Sequence, residues 1–186
     1  AFPKGLENDL YRERLEVIRW YETHAPKYFS LFGLGWSKPE PAFNTSEKVL
    51  RRMKRLATQL FGYKPFPSYV GEVEDKESIY RRTKFAYCYE NVANLPDYIS
   101  EKIFDCFFGG CIPVYWGSHT ITNHIPSTCF IDRRNFKSTA EVHSYLLSID
   151  EHKYSKYQEN IRDFLESQKA LEFDTTSYAV SYTHLT

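Results

Sequence analysis

The sequence predicts an α/β fold built on a parallel sheet, and three observations carry that expectation. Residues 84–89 read as a short aromatic-rich strand, 99–108 as an apolar helix and 112–116 as a second strand of β-favouring residues, in that order and with short connections. Strand, helix, strand with short links describes a crossover unit between parallel strands. Gly33-Leu34-Gly35-Trp36 follows a further strand over 28–32, which sets a glycine-permitted turn at a strand's carboxyl end, where open α/β sheets tend to hold ligands. The chain of 186 residues is long enough for one domain with a real core, and one domain is the working count.

The elements follow in order. Between residues 6 and 22, Leu10, Val17 and Tyr21 recur with Tyr11, Leu15 and Ile18 at helical spacing, and Ala25-Pro26 ends that helix. After the 28–32 strand and its turn, the proline-rich segment 38–41 is a loop. Asn44 followed three residues later by Glu47 marks a helix start; Val49, Met53, Leu56 and Leu60 then share one face, and Gly62 supplies the stop. Arg51, Arg52, Lys54 and Arg55 fall mostly around the other side and read as a solvated face, with an anionic partner or a membrane surface as the alternative. Asn44-Thr45-Ser46 is also a glycosylation sequon, but Asn44 is assigned to the cap. Past 112–116, residues 130–132 offer another short strand. Ser138 with Glu141 forms a capping box ahead of Val142, Tyr145, Leu146 and Ile149, and further helix runs to residue 171. No internal repeat or low-complexity tract interrupts the pattern.

Composition narrows the function classes. With 24 basic and 24 acidic residues there is no sequence-wide positive field, so nucleic acid is excluded as a partner and phosphate binding must be local. The 17% of aromatic residues suits both a packed core and rings that stack sugars and bases. Cys88, Cys106, Cys111 and Cys129 lack a C-x-x-C spacing and sit within or beside apolar runs, so free buried thiols are expected rather than a disulfide or zinc site. His119 and His124 read as surface or capping residues, not metal ligands. No stretch approaches the ~20 apolar residues of a membrane span and no signal pattern opens the chain, so a soluble chain is expected. It begins Ala1-Phe2-Pro3, which reads as an upstream segment removed or not captured. Residues 176–186, ending Ser181-Tyr182-Thr183-His184-Leu185-Thr186, are expected to be a non-native tail.

The chemistry concentrates between residues 84 and 118. Glu90 and Asn91 close one strand at its carboxyl end, while Ser100 can cap the following helix and leave Glu101 and Lys102 in its first turn. The free N–H groups and positive dipole end of that helix favour a phosphate. Lysine there is unfavourable with respect to the dipole, so Lys102 implies an anion nearby that offsets it, such as a diphosphate. Glu101 could accept hydrogen bonds from sugar hydroxyls, and Tyr98 offers a ring for stacking and a hydroxyl. Gly109-Gly110 ends the helix and Gly117 lets the next loop approach a ligand closely. Each residue also has an ordinary reading: Glu101 as a first-turn acid, Lys102 as a surface lysine, Asn91 as a turn residue, Tyr98 as a packing ring.

The string Glu90-Asn91, Asp97-Tyr98-Ile99-Ser100-Glu101-Lys102, then Gly110-Cys111-Ile112-Pro113-Val114 and Gly117 resembles the signature of the α1,3-fucosyltransferase family. Tyr11-Arg12-Glu13-Arg14-Leu15, His24-Ala25-Pro26, Phe32-Gly33-Leu34-Gly35-Trp36, the 80–84 stretch, and Cys129-Phe130-Ile131-Asp132 with Phe136 are similar to bacterial members. The resemblance runs from residue 10 to 165.

That resemblance implies a Rossmann-like parallel sheet flanked by helices, as the C-terminal half of a two-domain glycosyltransferase, with residues 1–175 as the donor domain. It implies GDP-β-L-fucose as donor, transfer in α1,3 linkage with inversion, and an acceptor glycan bearing N-acetylglucosamine or glucose. Glu90, Asn91, Tyr98, Ser100, Glu101 and Lys102 fall on its donor-binding positions, Glu101 toward the fucose and Lys102 toward the diphosphate. It implies no cofactor and no obligatory metal. The catalytic base is expected in an N-terminal acceptor domain, so the isolated chain is expected to be inactive or nearly so. Localisation would be cytoplasmic, peripheral to the inner membrane, for a bacterial member, or Golgi for a eukaryotic one. Two departures stand out: Leu34 where many relatives carry arginine, and Val70 before Gly71 where they carry a basic residue. Arg81, Arg82 and Lys84 are the remaining candidates for a phosphate-binding cation. The rival readings are another nucleotide-sugar transferase and a non-catalytic binding module that keeps the fold.

Overall fold

The computed structural model describes residues 9–38 and 45–173; the Asn44 cap and the 176–186 tail fall outside the described residues. In chain order the elements are α1 (Tyr11–His24), β1 (Leu31–Phe32), α2 (Thr45–Phe61), β2 (Tyr69–Gly71), α3 (Lys76–Tyr80), β3 (Phe85–Tyr89), α4 (Glu101–Phe108), β4 (Ile112–Trp116), α5 (Ile121–His124), β5 (Ile131–Asp132), α6 (Thr139–Ser148) and α7 (Glu151–Leu165). They divide into two compact units, Glu13–Asp75 and the remainder.

In the Glu13–Asp75 unit, β1 and β2 pair in parallel with Leu31 opposite Tyr69. Ile18 of α1 closes a small core with Leu31 and Phe66. Arg19 lies over the Phe66 ring at 4.2 Å and bonds Glu22 at 2.6 Å, while the other Glu22 oxygen accepts from Ser68 N at 3.1 Å and Ser68 Oγ at 2.7 Å. The helix expected to begin near Asn44 is present as α2, and Gly62 ends it at φ 66°. Its apolar face is open to solvent. No residue of α2 is buried, and Met53 is 62% exposed. A 3.6-residue period defines which side chains share a face, but only a partner element buries that face.

The other unit carries the expected parallel sheet, ordered β3-β4-β5. Phe85 pairs with Ile112 and Tyr89 with Trp116, so the α4 segment is the crossover between two parallel strands. Val114 and Tyr115 then pair with Ile131 and Asp132. Ile112, Val114 and Tyr115 of the central strand are fully buried, as both faces are covered. Pro113 fits this central strand for a geometric reason. The Ile112 amide bonds Lys84 O at 3.0 Å, so the next residue faces away from β3, on a side where β5 pairing starts only at Val114. A missing N–H there removes no ladder bond.

Helix ends follow the local chemistry. Cys111 N bonds Cys106 O at 2.8 Å and Gly110 N bonds Phe107 O at 3.0 Å around Gly110 at φ 71°, the double bond that terminates a helix through a left-handed residue. Ser138 Oγ accepts from Glu141 N at 3.2 Å, and the Glu141 carboxylate reaches back to Lys137 N at 2.7 Å. All four cysteines are buried and free. Three elements escaped the sequence reading: β2, too short to show alternation, α3, a single turn and a half, and α5, a single turn.

Candidate functional site

Because β3, β4 and β5 run parallel, their carboxyl ends share one edge of the sheet, and the chain leaves that edge at Glu90, Gly117 and Arg133. Glu90 is fully buried there, its amide bonded to Trp116 O at 2.8 Å. A carboxylate without water must find donors within the protein. One oxygen accepts from Ser100 N at 2.8 Å; the other accepts from Ser100 Oγ at 2.7 Å and from Lys102 Nζ at 3.1 Å. Lys102 Nζ also donates to Ser100 Oγ at 2.8 Å. The three bonds to Glu90 join the end of β3 to the first turn of α4, and the fourth links Ser100 and Lys102 within that turn.

Two expectations are corrected by this cluster. Ser100 occupies the position before α4 with extended backbone, at φ −94° and ψ 175°, yet its side chain makes no cap hydrogen bond because its hydroxyl is committed to Glu90. The anion that offsets Lys102 against the helix dipole is, in the first instance, the Glu90 carboxylate rather than a ligand. Lys102 keeps 31% of its side-chain surface open, whereas Glu90 has none.

Gly117 is also assigned a different task. A Cβ there would collide with Glu90 Cγ and the Tyr115 hydroxyl, so the glycine permits close packing of the two strand ends rather than approach by a ligand. The Tyr115 hydroxyl accepts from Ser118 N at 3.0 Å; burial, and next the Glu90 charge, push its acidity below the ordinary phenol range.

The loop between β3 and α4 is held at both ends. Asn91 O accepts from Leu10 N at 3.2 Å, and Asn94 N bonds Gly117 O at 3.0 Å. Asn94 and Asp97 both take positive φ, 60° and 56°, which short polar side chains tolerate. Asp97 is fixed by Thr120 Oγ1 at 2.6 Å and His124 Nε2 at 3.0 Å, and these two bonds, Thr120 first, lower its pKa. His124 is raised in turn, chiefly by Asp97, and its Nδ1 lies 3.4 Å from Glu172. Tyr98 is half-buried and Glu101 is exposed at the start of α4, outside the Glu90 cluster.

Arg81, Arg82 and Lys84 lie on the wrong side for this edge. They precede β3, five residues or about 17 Å of strand before Glu90. Arg81 pairs with Glu77, Arg82 Nε bonds Ser78 O at 3.0 Å, and Lys84 bonds Glu151 at 3.2 Å. Arginines that do reach the carboxyl edge are Arg133 and Arg134, which the sequence reading passed over. Arg134 grips Asp132 through Nε at 2.8 Å and Nη2 at 2.6 Å. Arg133 lies 5.4 Å from the Trp116 ring centre and donates to Phe136 O at 2.7 Å, while its buried Nε has no hydrogen-bond partner. The signal was available: a basic pair directly after a strand in a parallel sheet must lie on the ligand-binding edge.

Comparison with known proteins adds sequence likeness to this geometry. The family model of glycosyltransferase family 10 (fucosyltransferase), C-terminal part, matches residues 42–180. The alpha-(1,3)-fucosyltransferase FucT of Helicobacter pylori is 32% identical over 81 residues, covering 44% of this chain and 17% of that protein. The 4-galactosyl-N-acetylglucosaminide 3-alpha-L-fucosyltransferase 9 of Mus musculus is 34% identical over 85 residues, covering 44% of this chain and 23% of that protein. The matched part thus spans less than a quarter of either relative's length. Among solved structures, an alpha1,3-fucosyltransferase with GDP-fucose aligns with a TM-score of 0.39 and 20% identity, covering 86% of this chain and 46% of that one. An alpha1,3-fucosyltransferase with GDP aligns with a TM-score of 0.40 and 20% identity, covering 86% and 45%.

Proposed function

We propose, from the premise that this chain belongs to glycosyltransferase family 10, the fucosyltransferases, that it is the donor-binding part of an α1,3-fucosyltransferase and takes GDP-fucose at the carboxyl edge of β3 and β4. The observation that carries the reading is the Glu90, Ser100 and Lys102 cluster, which holds a partly exposed ammonium group against the first turn of α4. With the Ser100 hydroxyl turned away, that turn has no side-chain cap, and its positive end favours an anion together with Lys102.

In this reading the diphosphate of GDP lies against Lys102 and the α4 amino end, and Glu101, exposed beside them, receives the fucose hydroxyls. Asn91 and Tyr98 line the loop that approaches the nucleotide sugar. The acceptor hydroxyl oxygen attacks the anomeric carbon from the face opposite GDP; the new C–O bond forms as the bond to the β-phosphate oxygen breaks, which inverts the centre. The departing GDP gains negative charge, which the ammonium group and helix end are already oriented to stabilise. The acceptor proton passes to a base in a part of the parent enzyme beyond this chain. The donor complex needs no divalent metal, and the acceptor is a glycan bearing N-acetylglucosamine or glucose. Curated relatives named for α1,3-fucosyl transfer, one of them onto 4-galactosyl-N-acetylglucosaminide, support the linkage and the acceptor class.

Calorimetric titration of the folded chain with GDP-fucose, GDP, GDP-mannose and UDP-galactose tests the donor. Selective binding of GDP-fucose is expected. Preference for another sugar nucleotide would replace the donor assignment. Absence of binding by a chain shown to be folded would favour a module that keeps the fold but not the ligand, a rival that Leu34 and Val70 support, since both are exposed apolar residues where family resemblance leads one to expect cations.

A further inference from the structure

We propose that α2 is a membrane-surface helix, lying with its apolar stripe among the headgroups of an anionic bilayer. At about 100° per residue, Val49, Met53, Leu56 and Leu60 fall within one narrow arc, widened on one side by Leu50 and Phe61. Lys48, Arg51 and Arg55 occupy the opposite arc, and Arg52 and Lys54 stand at its two borders. Five basic residues thus face the single acid Glu47 over the 17 residues of the helix, in a chain whose total charge is zero.

Among the described residues of the Glu13–Asp75 unit, nothing covers the stripe. Leu60 is 70% and Phe61 83% exposed, and no residue of α2 is buried. An apolar stripe of this width ordinarily faces a core. Charge chooses the occupant. A protein groove would take the stripe but leave the cations without a role, whereas an anionic lipid surface takes both, with Arg52 and Lys54 extending their stems along the apolar border and their charges to the phosphates. The helix lies on the bilayer rather than through it: 17 residues with five cations are too short and too charged to span, and among the described residues no helix is long and apolar enough to cross. This inference is independent of the donor assignment.

The test is co-sedimentation of the whole chain with vesicles of pure phosphatidylcholine and of mixed phosphatidylcholine and phosphatidylglycerol. Binding to the anionic vesicles should be at least about tenfold tighter and should fall steeply as salt is raised. Replacing Arg51 and Arg55 by Gln should weaken it by about fivefold per charge removed. Leu56→Glu with Leu60→Glu should abolish it, with the thermal unfolding midpoint unchanged because both positions are exposed. Equal binding to neutral and anionic vesicles would overturn the proposal. So would a chain that binds neither but sediments as a dimer dispersed by Leu60→Glu, which would make the stripe a contact between copies. The salt and lipid arms use the unaltered protein, so they decide even if a variant fails to fold.

Discussion

The Glu90 carboxylate and the Lys102 ammonium group stand 3.1 Å apart across twelve residues of chain, one fully buried and the other about a third exposed. The pair explains how a lysine is tolerated in the first turn of α4, where the dipole disfavours it. It also sets the lysine's position before any ligand arrives. Under the proposed donor reading, an incoming diphosphate would meet an ammonium group already oriented by Glu90 and Ser100, with little side-chain ordering left to do on binding.

Lys102→Ala should therefore weaken GDP and GDP-fucose alike, by about tenfold or more, since a hydrogen bond to a charged group contributes about 1.5–3 kcal/mol. Glu101→Ala should weaken GDP-fucose and leave GDP nearly unchanged. Calorimetry on the two variants with both ligands reads this directly, and unchanged donor binding in both would remove Lys102 and Glu101 from the site.

Glu90→Gln should lower stability by about 1.5–3 kcal/mol, because the buried position loses its charge-assisted bonds to Ser100 and Lys102. Urea unfolding of Glu90→Gln, Lys102→Ala and the double variant should give a coupling energy of about 1 kcal/mol or more. Additive effects would mean that the pair contributes nothing as a pair.

Gly117→Ala should cost about 1–3 kcal/mol, since the added methyl meets Glu90 Cγ and the Tyr115 hydroxyl in a filled space. The same change should reduce GDP affinity through displacement of Glu90. A thermal midpoint equal to that of the parent chain would show that the strand ends can separate freely.

His124 and Asp97 should give the 97–124 contact a pH dependence. His124 is raised above its ordinary 6.5, so its contribution is complete below that pH and is lost as pH rises through the folded value. Asp97 is lowered below 3.8, so its contribution is present above 3.8 and is lost as pH falls through the folded value. Both are complete between those two ordinary values. Melting the parent chain and His124→Gln between about pH 5 and 8 should show the parent losing its advantage as pH rises. Parallel profiles would refute the contact. Thr120 and Glu172 also face this imidazole region and belong in the same comparison.

Much of the second unit was legible because its signals are local. The 112–116 strand was expected with the bounds it has, β3 and α4 within two residues, and the Ser138 cap with its partner Glu141. Each rests on backbone preference or side-chain spacing within a few residues. Family resemblance likewise follows from residue identity along the chain. The Tyr28–Phe32 expectation was only half met, since Pro26–Tyr28 forms a 3-10 turn and pairing begins at Leu31, where β2 supplies a neighbour.

By itself the sequence determined the strand, helix, strand order of the 84–116 segment, the parallel crossover, the family and the placing of Glu90 and Lys102 at two ends of one loop. Tertiary structure decided who partners whom. Ser100 has the geometry of a helix cap, but a buried carboxylate without water competes for its hydroxyl and wins. The stripe of α2 has the period of a core helix, but among the described residues no element buries it. Arg133 and Arg134 share an edge with Glu90 only because three strands run parallel. Local periodicity fixes which groups are available on each face, whereas burial and hydrogen-bond competition between residues distant in the chain fix which of them are used.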